Sequence, residues 1–189
     1  MKQFNRALGF SALALTLVIT GCSAGGTPTG SSQAAGTEAN AADQMFVTMM
    51  IPHHEQAIEM SDVVLAKGDV DPRVLELAQR IKEAQTPEIE QMQAWLDDWG
   101  MGHGGMGGGM GHGDGMMSDT DMQALEDASG VDASRLYLQQ MIEHHEGAVD
   151  MAEAEVDGGQ HPDVVALAQQ MADAQTAEIA EMEQLLTEL

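Results

Sequence analysis

The string Met50-Ile51-Pro52-His53-His54-Glu55-Gln56-Ala57-Ile58-Glu59-Met60 returns 91 residues later as Met141-Ile142-Glu143-His144-His145-Glu146-Gly147-Ala148-Val149-Asp150-Met151. Four of the chain's seven histidines stand in these two His-His-Glu cores, each with methionine on both sides. The likeness runs on past the histidines. Asp71-Pro72-Arg73-Val74-Leu75-Glu76-Leu77-Ala78-Gln79 aligns with His161-Pro162-Asp163-Val164-Val165-Ala166-Leu167-Ala168-Gln169, now at an offset of 90. Ala84-Gln85-Thr86-Pro87-Glu88-Ile89 aligns with Ala174-Gln175-Thr176-Ala177-Glu178-Ile179, Met92 with Met182 and Leu96 with Leu186. Each copy therefore reads as helix, turn and helix, and the chain carries two helical hairpins. Two hairpins of similar length pair into an antiparallel four-helix bundle, an all-α fold. No stretch alternates with the period of two that a half-buried strand needs.

The spacing predicts a first helix over 43–67, stopped by Gly68, and a second over 72–99 that opens on Pro72, a favoured first-turn residue. Pro87 lies inside the second helix, removes one backbone donor and is expected to kink it near Glu83; Ala177 in the second copy predicts a straighter run. A short helix over 119–127, a third long helix over 132–156 and a fourth over 162–187 complete the expectation. Aromatic residues are scarce, so Leu, Ile, Val, Ala and Met must fill the core.

Outside the repeats the chain reads differently. Residues 1–21 have the form of an export signal: Lys2 and Arg6 supply the positive start, and 8–19 is apolar but short for a permanent span. Ile19-Thr20-Gly21-Cys22 resembles a bacterial lipobox, which predicts cleavage before Cys22 and lipidation of that residue. Residues 22–41, rich in Gly, Ser, Thr and Ala, are expected to be a flexible tether. The bundle domain is placed at 42–189, with repeat one at 42–99 and repeat two at 118–189. The expected location is extracytoplasmic, anchored by lipid to a bacterial membrane at the cell surface or in the periplasm.

Cys22 is the only cysteine, so the mature domain has no thiol and no disulfide. In an oxidising compartment a thiolate site would be vulnerable, and soft metals are better served there by thioether and imidazole. The chain has 7 basic and 31 acidic residues; loss of the signal leaves 5 against 31, a net charge of −26. Such a surface excludes nucleic acid as a partner, because phosphate contacts need cationic side chains, and it attracts cations.

On an ideal helix at 100° per residue with Met50 at zero, His53 falls at about 300°, His54 at about 40°, Ala57 at about 340° and Met60 at about 280°. Met50, His53 and Met60 thus share a face around small Ala57, with His54 at its edge. Met141, His144, Ala148, Met151 and His145 repeat the arrangement. Glu55 and Glu146, near 140°, point elsewhere, either to orient a histidine on a neighbouring helix or to face water. Methionine at helical spacing is by itself an ordinary core residue. Two histidine pairs at equivalent angles, both beside methionine, point instead to a metal. The donor set suits Cu(I), and imidazole with carboxylate also holds Cu(II); zinc prefers thiolate and imidazole to thioether.

Other chemistries fail on spacing. His54-Glu55 begins like the H-E-x-x-H signature, but position 58 is Ile and its counterpart is Val149. A di-iron bundle wants Glu three residues before His, and positions 50, 51, 141 and 142 are Met or Ile. No catalytic triad, phosphate loop or nucleotide fingerprint is present, so no enzyme is expected. Between the repeats, 100–117 holds ten glycines, five methionines and two histidines. Such a chain packs no core by itself but wraps a soft cation at low steric cost. It makes Met101, His103, Met106, Met110, His112, Met116 and Met117 a secondary, labile metal set. A plain low-complexity linker and an oxidant-scavenging segment are the alternatives. His161, before a proline in a turn, reads as structural or surface.

The two histidine strings, with Met49 before the first and Leu125-Glu126-Asp127-Ala128-Ser129-Gly130 ahead of the second, closely resemble the exported bacterial family known as domain of unknown function 305. The resemblance covers about 42–189. It implies a ferritin-like four-helix bundle, and some relatives are periplasmic copper-binding proteins linked to copper tolerance. The expected function is a copper-binding lipoprotein that sequesters, buffers or delivers copper, Cu(I) favoured, through His53, His54, Met50, Met60, His144, His145, Met141 and Met151. Its expected partners are the metal ion, the membrane through the lipid and copper-handling proteins. A metal oxidase built on a bundle-core metal and a metal-free envelope interaction module are the alternatives.

Overall fold

The computed structural model describes residues 38–102 and 115–189. They form α1 (Ala41–Leu65), α2 (Pro72–Asp98), α3 (Asp119–Asp127), α4 (Gly130–Gly158) and α5 (Pro162–Glu188), with no strand among the described residues. No helix among them is long and apolar enough to cross a membrane. The expected signal segment, Cys22 and the loop residues His103, Met106, Met110 and His112 lie outside the described residues.

Caps set the helix ends. Asn40 accepts the Ala42 and Asp43 backbone N–H groups at 2.7 and 3.0 Å, while the Asp43 carboxylate accepts the Asn40 N–H at 2.6 Å. This reciprocal capping box starts α1 two residues ahead of the expected position. Asp71 caps α2 with Pro72 at its first turn, and Ser118 with Asp121 caps α3. α4 is longer than expected by two residues at each end. α2 is one continuous helix through Pro87. It ends in a Schellman turn: Gly100 takes φ +69°, and the Met101 N–H reaches back to the Leu96 carbonyl at 2.8 Å.

The apolar core forms two clusters. One takes Ala57, Met60 and Val64 from α1, Val74 to Ile81 positions from α2, Tyr137, Leu138 and Met141 from α4, and Met182 and Leu185 from α5. The other takes Phe46, Val47 and Met50 from α1, Ile89 to Leu96 positions from α2, Ala148 and Ala152 from α4, and Val164 to Ala172 positions from α5. The early part of α1 thus meets the late part of α4, and the early part of α2 meets the late part of α5. The helices are therefore antiparallel in the sense the repeats predicted. On both α1 and α4 the histidine pair lies between the residues of the two clusters.

The pseudo-repeat extends to the turns. The Asp71 N–H donates to the Ser134 hydroxyl at 3.0 Å. In the other copy the N–H groups of Gln160 and His161 donate to the Asp43 carboxylate at 3.0 and 2.9 Å. Each hairpin turn is thus latched to the long helix of the other hairpin.

Candidate metal centre

His53 and His54 stand on α1, His144 and His145 on α4, and all four are at most 1% exposed. The His53 and His144 rings meet with centroids 3.7 Å apart, tilted by 39°, so the two motifs converge in one layer of the bundle. The outer pair is held from the partner helices. His54 Nε2 lies 2.9 Å from Glu88 Oε2 on α2, and His145 Nε2 lies 2.8 Å from Glu178 Oε2 on α5.

Chemistry follows from these bonds. A carboxylate accepts, so each of these imidazoles donates through Nε2–H and keeps its lone pair on Nδ1. The Nδ1 atoms of His54 and His145 are buried with no hydrogen-bond partner. Leaving such an atom unsatisfied costs about 1–3 kcal/mol. A carboxylate that fixes the tautomer and aims the opposite nitrogen inward is the outer-sphere arrangement seen around metal-bound histidine.

His144 carries the electrostatics of the layer. Burial first, then the charges of His53, His145 and His54, hold its imidazole well below the usual 6.5; the His53 backbone opposes this weakly. Neither His144 nitrogen has a hydrogen bond of good geometry. His144 is therefore a neutral base near pH 7, the form that binds metals.

Thioethers lie on both sides of the layer. Met50, Met60 and Met141 are fully buried, while Met151 is half-buried. Met92, Met171 and Met182, which were not singled out from the sequence, are buried in the same two clusters. Among the described residues no group of three or more His, Cys, Asp and Glu side chains is gathered in metal-binding form.

The structure moves several roles. His54, placed at the edge of the face by the helical wheel, is fully buried because α2 covers that edge. Glu55 and Glu146 are exposed, and the orienting carboxylates are Glu88 and Glu178 instead. Buried Gln85 and Gln175 stand three residues before them, each with its side-chain oxygen unpartnered. The signal for these four was the string Ala-Gln-Thr-x-Glu-Ile, kept in both copies with its polar residues three apart.

Residues 115–117, ahead of α3, dock beside this layer. The Gln56 amide grips the Met117 backbone, accepting its N–H at 2.7 Å and donating to its carbonyl at 2.9 Å. Met117 is buried in the core, and Met116 and Met101 are half-buried. Gly115 takes φ +74° against the α4 backbone, where a Cβ would fall 2.5 Å from the Glu143 carbonyl oxygen and 3.1 Å from the Gly147 Cα. Gly147 replaces the Gln56 of the first copy, and its missing side chain makes room for this approach.

Residues 43–186 match the family description "Domain of unknown function (DUF305)". Among solved structures, a DUF305 protein of Streptomyces coelicolor described as secreted is 36% identical with a TM-score of 0.73, over 78% of this chain and 93% of that one. CopM in its Cu(I)-bound form is 31% identical with a TM-score of 0.66, over 77% of this chain and 96% of that one. CopM is also solved in Cu(II)-bound, Ag-bound and apo forms. A curated relative, uncharacterized protein L153 of Acanthamoeba polyphaga mimivirus, is 39% identical over 62 residues, and the match spans 40% of its length.

Proposed function

The chain belongs to the DUF305 family, and on that premise we infer that it is an extracytoplasmic copper-binding lipoprotein that sequesters, buffers or hands on copper. One observation carries this reading: four buried imidazoles from the two repeated motifs lie in a single layer, two of them turned by Glu88 and Glu178 so that an unpartnered Nδ1 faces the interior. Copper-bound and silver-bound CopM, alike in fold and sequence, supports copper as the ion and a binding rather than a catalytic role.

His53, His54, His144 and His145 would hold the metal with sulfur from Met50, Met60, Met141 and Met151. The protein's part is to supply neutral soft donors, exclude water and fix the imidazole tautomers. The Glu88 and Glu178 carboxylates would offset the charge of the ion through His54 and His145. Neutral sulfur and nitrogen donors favour Cu(I). The glycine-rich stretch, with Met101, His103, Met106, Met110, His112, Met116 and Met117, would form the more labile set; of its described members Met117, pinned in the core, is the least accessible. Residues 1–21 as signal, a lipid on Cys22, the 22–41 tether and the bundle from 42 complete the proposed organisation.

The test is metal titration of the purified chain beside a variant with His53, His54, His144 and His145 changed to Ala, and a second with Met50 and Met141 changed to Leu. Loss of tight copper binding in the first and a selective loss for Cu(I) in the second are expected. Unchanged Cu(I) affinity in both sinks the reading. Mass spectrometry of detergent-extracted protein, with and without Cys22→Ala, tests the anchor.

A further inference from the structure

At the end of the bundle formed by the start of α1 and the end of α2, two indoles and an imidazole come together. Trp95 on α2 and Trp99, the residue that caps its C-terminus, stack with centroids 6.4 Å apart and planes 8° from parallel. The His161 ring lies 5.9 Å from both, tilted by 55° to one and 63° to the other. His161 is placed there by its neighbours: its backbone N–H is held by Asp43, and Pro162 fixes the chain as it enters α5. Its Nδ1 is buried and has no hydrogen-bond partner. The Schellman turn at Gly100 folds Met101 back on the last turn of α2, and Met101 packs against the same cluster as Trp95 and Trp99.

We propose that His161, Met101 and the faces of Trp95 and Trp99 form a second site for a soft monovalent cation, Cu(I) or Ag(I), separate from the histidine layer. In the Nε2–H tautomer His161 offers its Nδ1 lone pair, and Met101 offers a thioether. The indole faces attract a cation within about 6 Å of a ring centroid. His161, Trp99 and Met101 are all half-buried, so this end of the bundle borders solvent although the His161 Nδ1 atom itself is covered, whereas the histidine layer is closed over.

The charge distribution supports this end of the molecule. The basic residues beyond the first six, Lys67, Arg73, Arg80, Lys82 and Arg135, all lie on stretches that belong to the opposite apolar cluster. Around the indole end the ionisable side chains besides His161 include the carboxylates Asp97 and Asp98 on α2, Asp157 on α4, Asp43 on α1 and Asp163 on α5, while Glu155 keeps its proton beside Asp43. With no lysine or arginine in its half of the bundle, this end concentrates cations.

Trp95 and Trp99 are the chain's only tryptophans, so indole emission reports on this site directly. The experiment titrates the full chain, purified in detergent, with Ag(I) as a redox-silent soft ion and follows that emission. Four chains are compared: unsubstituted, His161→Ala, Met101→Leu, and the variant lacking the four layer histidines. The emission should change saturably in the unsubstituted and four-histidine chains, with affinity at least about tenfold weaker in the other two. Met101→Leu keeps the packing and carries the test alone if His161→Ala fails to fold. An unchanged response in a folded variant of His161 or Met101, or its loss in the four-histidine variant, overturns the proposal. The latter outcome would assign the indole response to the histidine layer.

Discussion

His53 of α1 and His144 of α4 bring their imidazole rings within 3.7 Å at the centre of the bundle. Two bases this close cannot both be charged out of water, and burial with neighbouring imidazoles holds His144 well below the usual 6.5. The junction of the two repeats is therefore a layer of four buried imidazoles, His144 among them held neutral, sealed above and below by methionine-containing apolar clusters.

Removing the orienting carboxylates tests the outer pair. Glu88→Gln or Glu178→Gln leaves the packing nearly unchanged but lets the His54 or His145 ring take the other tautomer. Copper affinity is expected to fall about 10- to 100-fold for either change. Competition titration against a chromogenic Cu(I) chelator measures it, and wild-type affinity in both variants would remove Glu88 and Glu178 from the metal centre.

Protonation of His144 links stability to acid pH. Its folded value lies below the unfolded 6.5, so below that pH the unfolded chain binds the extra proton. The metal-free protein should be at full strength from this group above about pH 6.5 and lose stability as pH falls, by at most about 1.4 kcal/mol per pH unit. Denaturant midpoints compared with His144→Leu check this; an identical slope in the variant contradicts it.

Glu155, beside Asp43, gives the opposite sign. Burial, then the hydrogen bond and charge of Asp43, push Glu155 from 4.5 up to about 8. Burial also pushes Asp43 up, but the N–H groups of His161, Asn40 and Gln160 and the Glu155 carboxyl together hold it below its ordinary value. One proton is thus kept on Glu155. Its contribution is complete below about 4.5 and is lost as pH rises to about 8. Glu155→Gln should flatten that alkaline loss and leave the variant the more stable chain at pH 8, by thermal or denaturant unfolding.

Gly115→Ala probes the docking of the loop on α4. The new Cβ meets the Glu143 carbonyl at 2.5 Å in a left-handed backbone conformation. A loss of about 1–3 kcal/mol is expected. If the loop's return matters to the layer, proton exchange at the Gln56 amide should speed up in the same variant, by NMR. Unchanged stability would show that the contact is not maintained in solution.

The sequence by itself determined the helices, their pairing into hairpins and the inward face of each motif. These are local or repeated properties. The period of 3.6 residues sets which side chains share a face, Pro72 marks a helix start, and duplication announces two equivalent halves. It also placed Met50, His53 and Met60 together, and the structure buries all three. Only the tertiary structure decided what covers the edge of that face. Glu88 is 34 residues from His54, and Glu178 is 33 from His145. Nothing in a helical wheel states how far α2 rotates against α1. The same holds for His161, whose turn position gave no sign of two indoles, and for Met117, drawn into the core by Gln56. Position around a helix follows from the chain's own geometry, but the partner across the groove follows from how whole helices pack to exclude water.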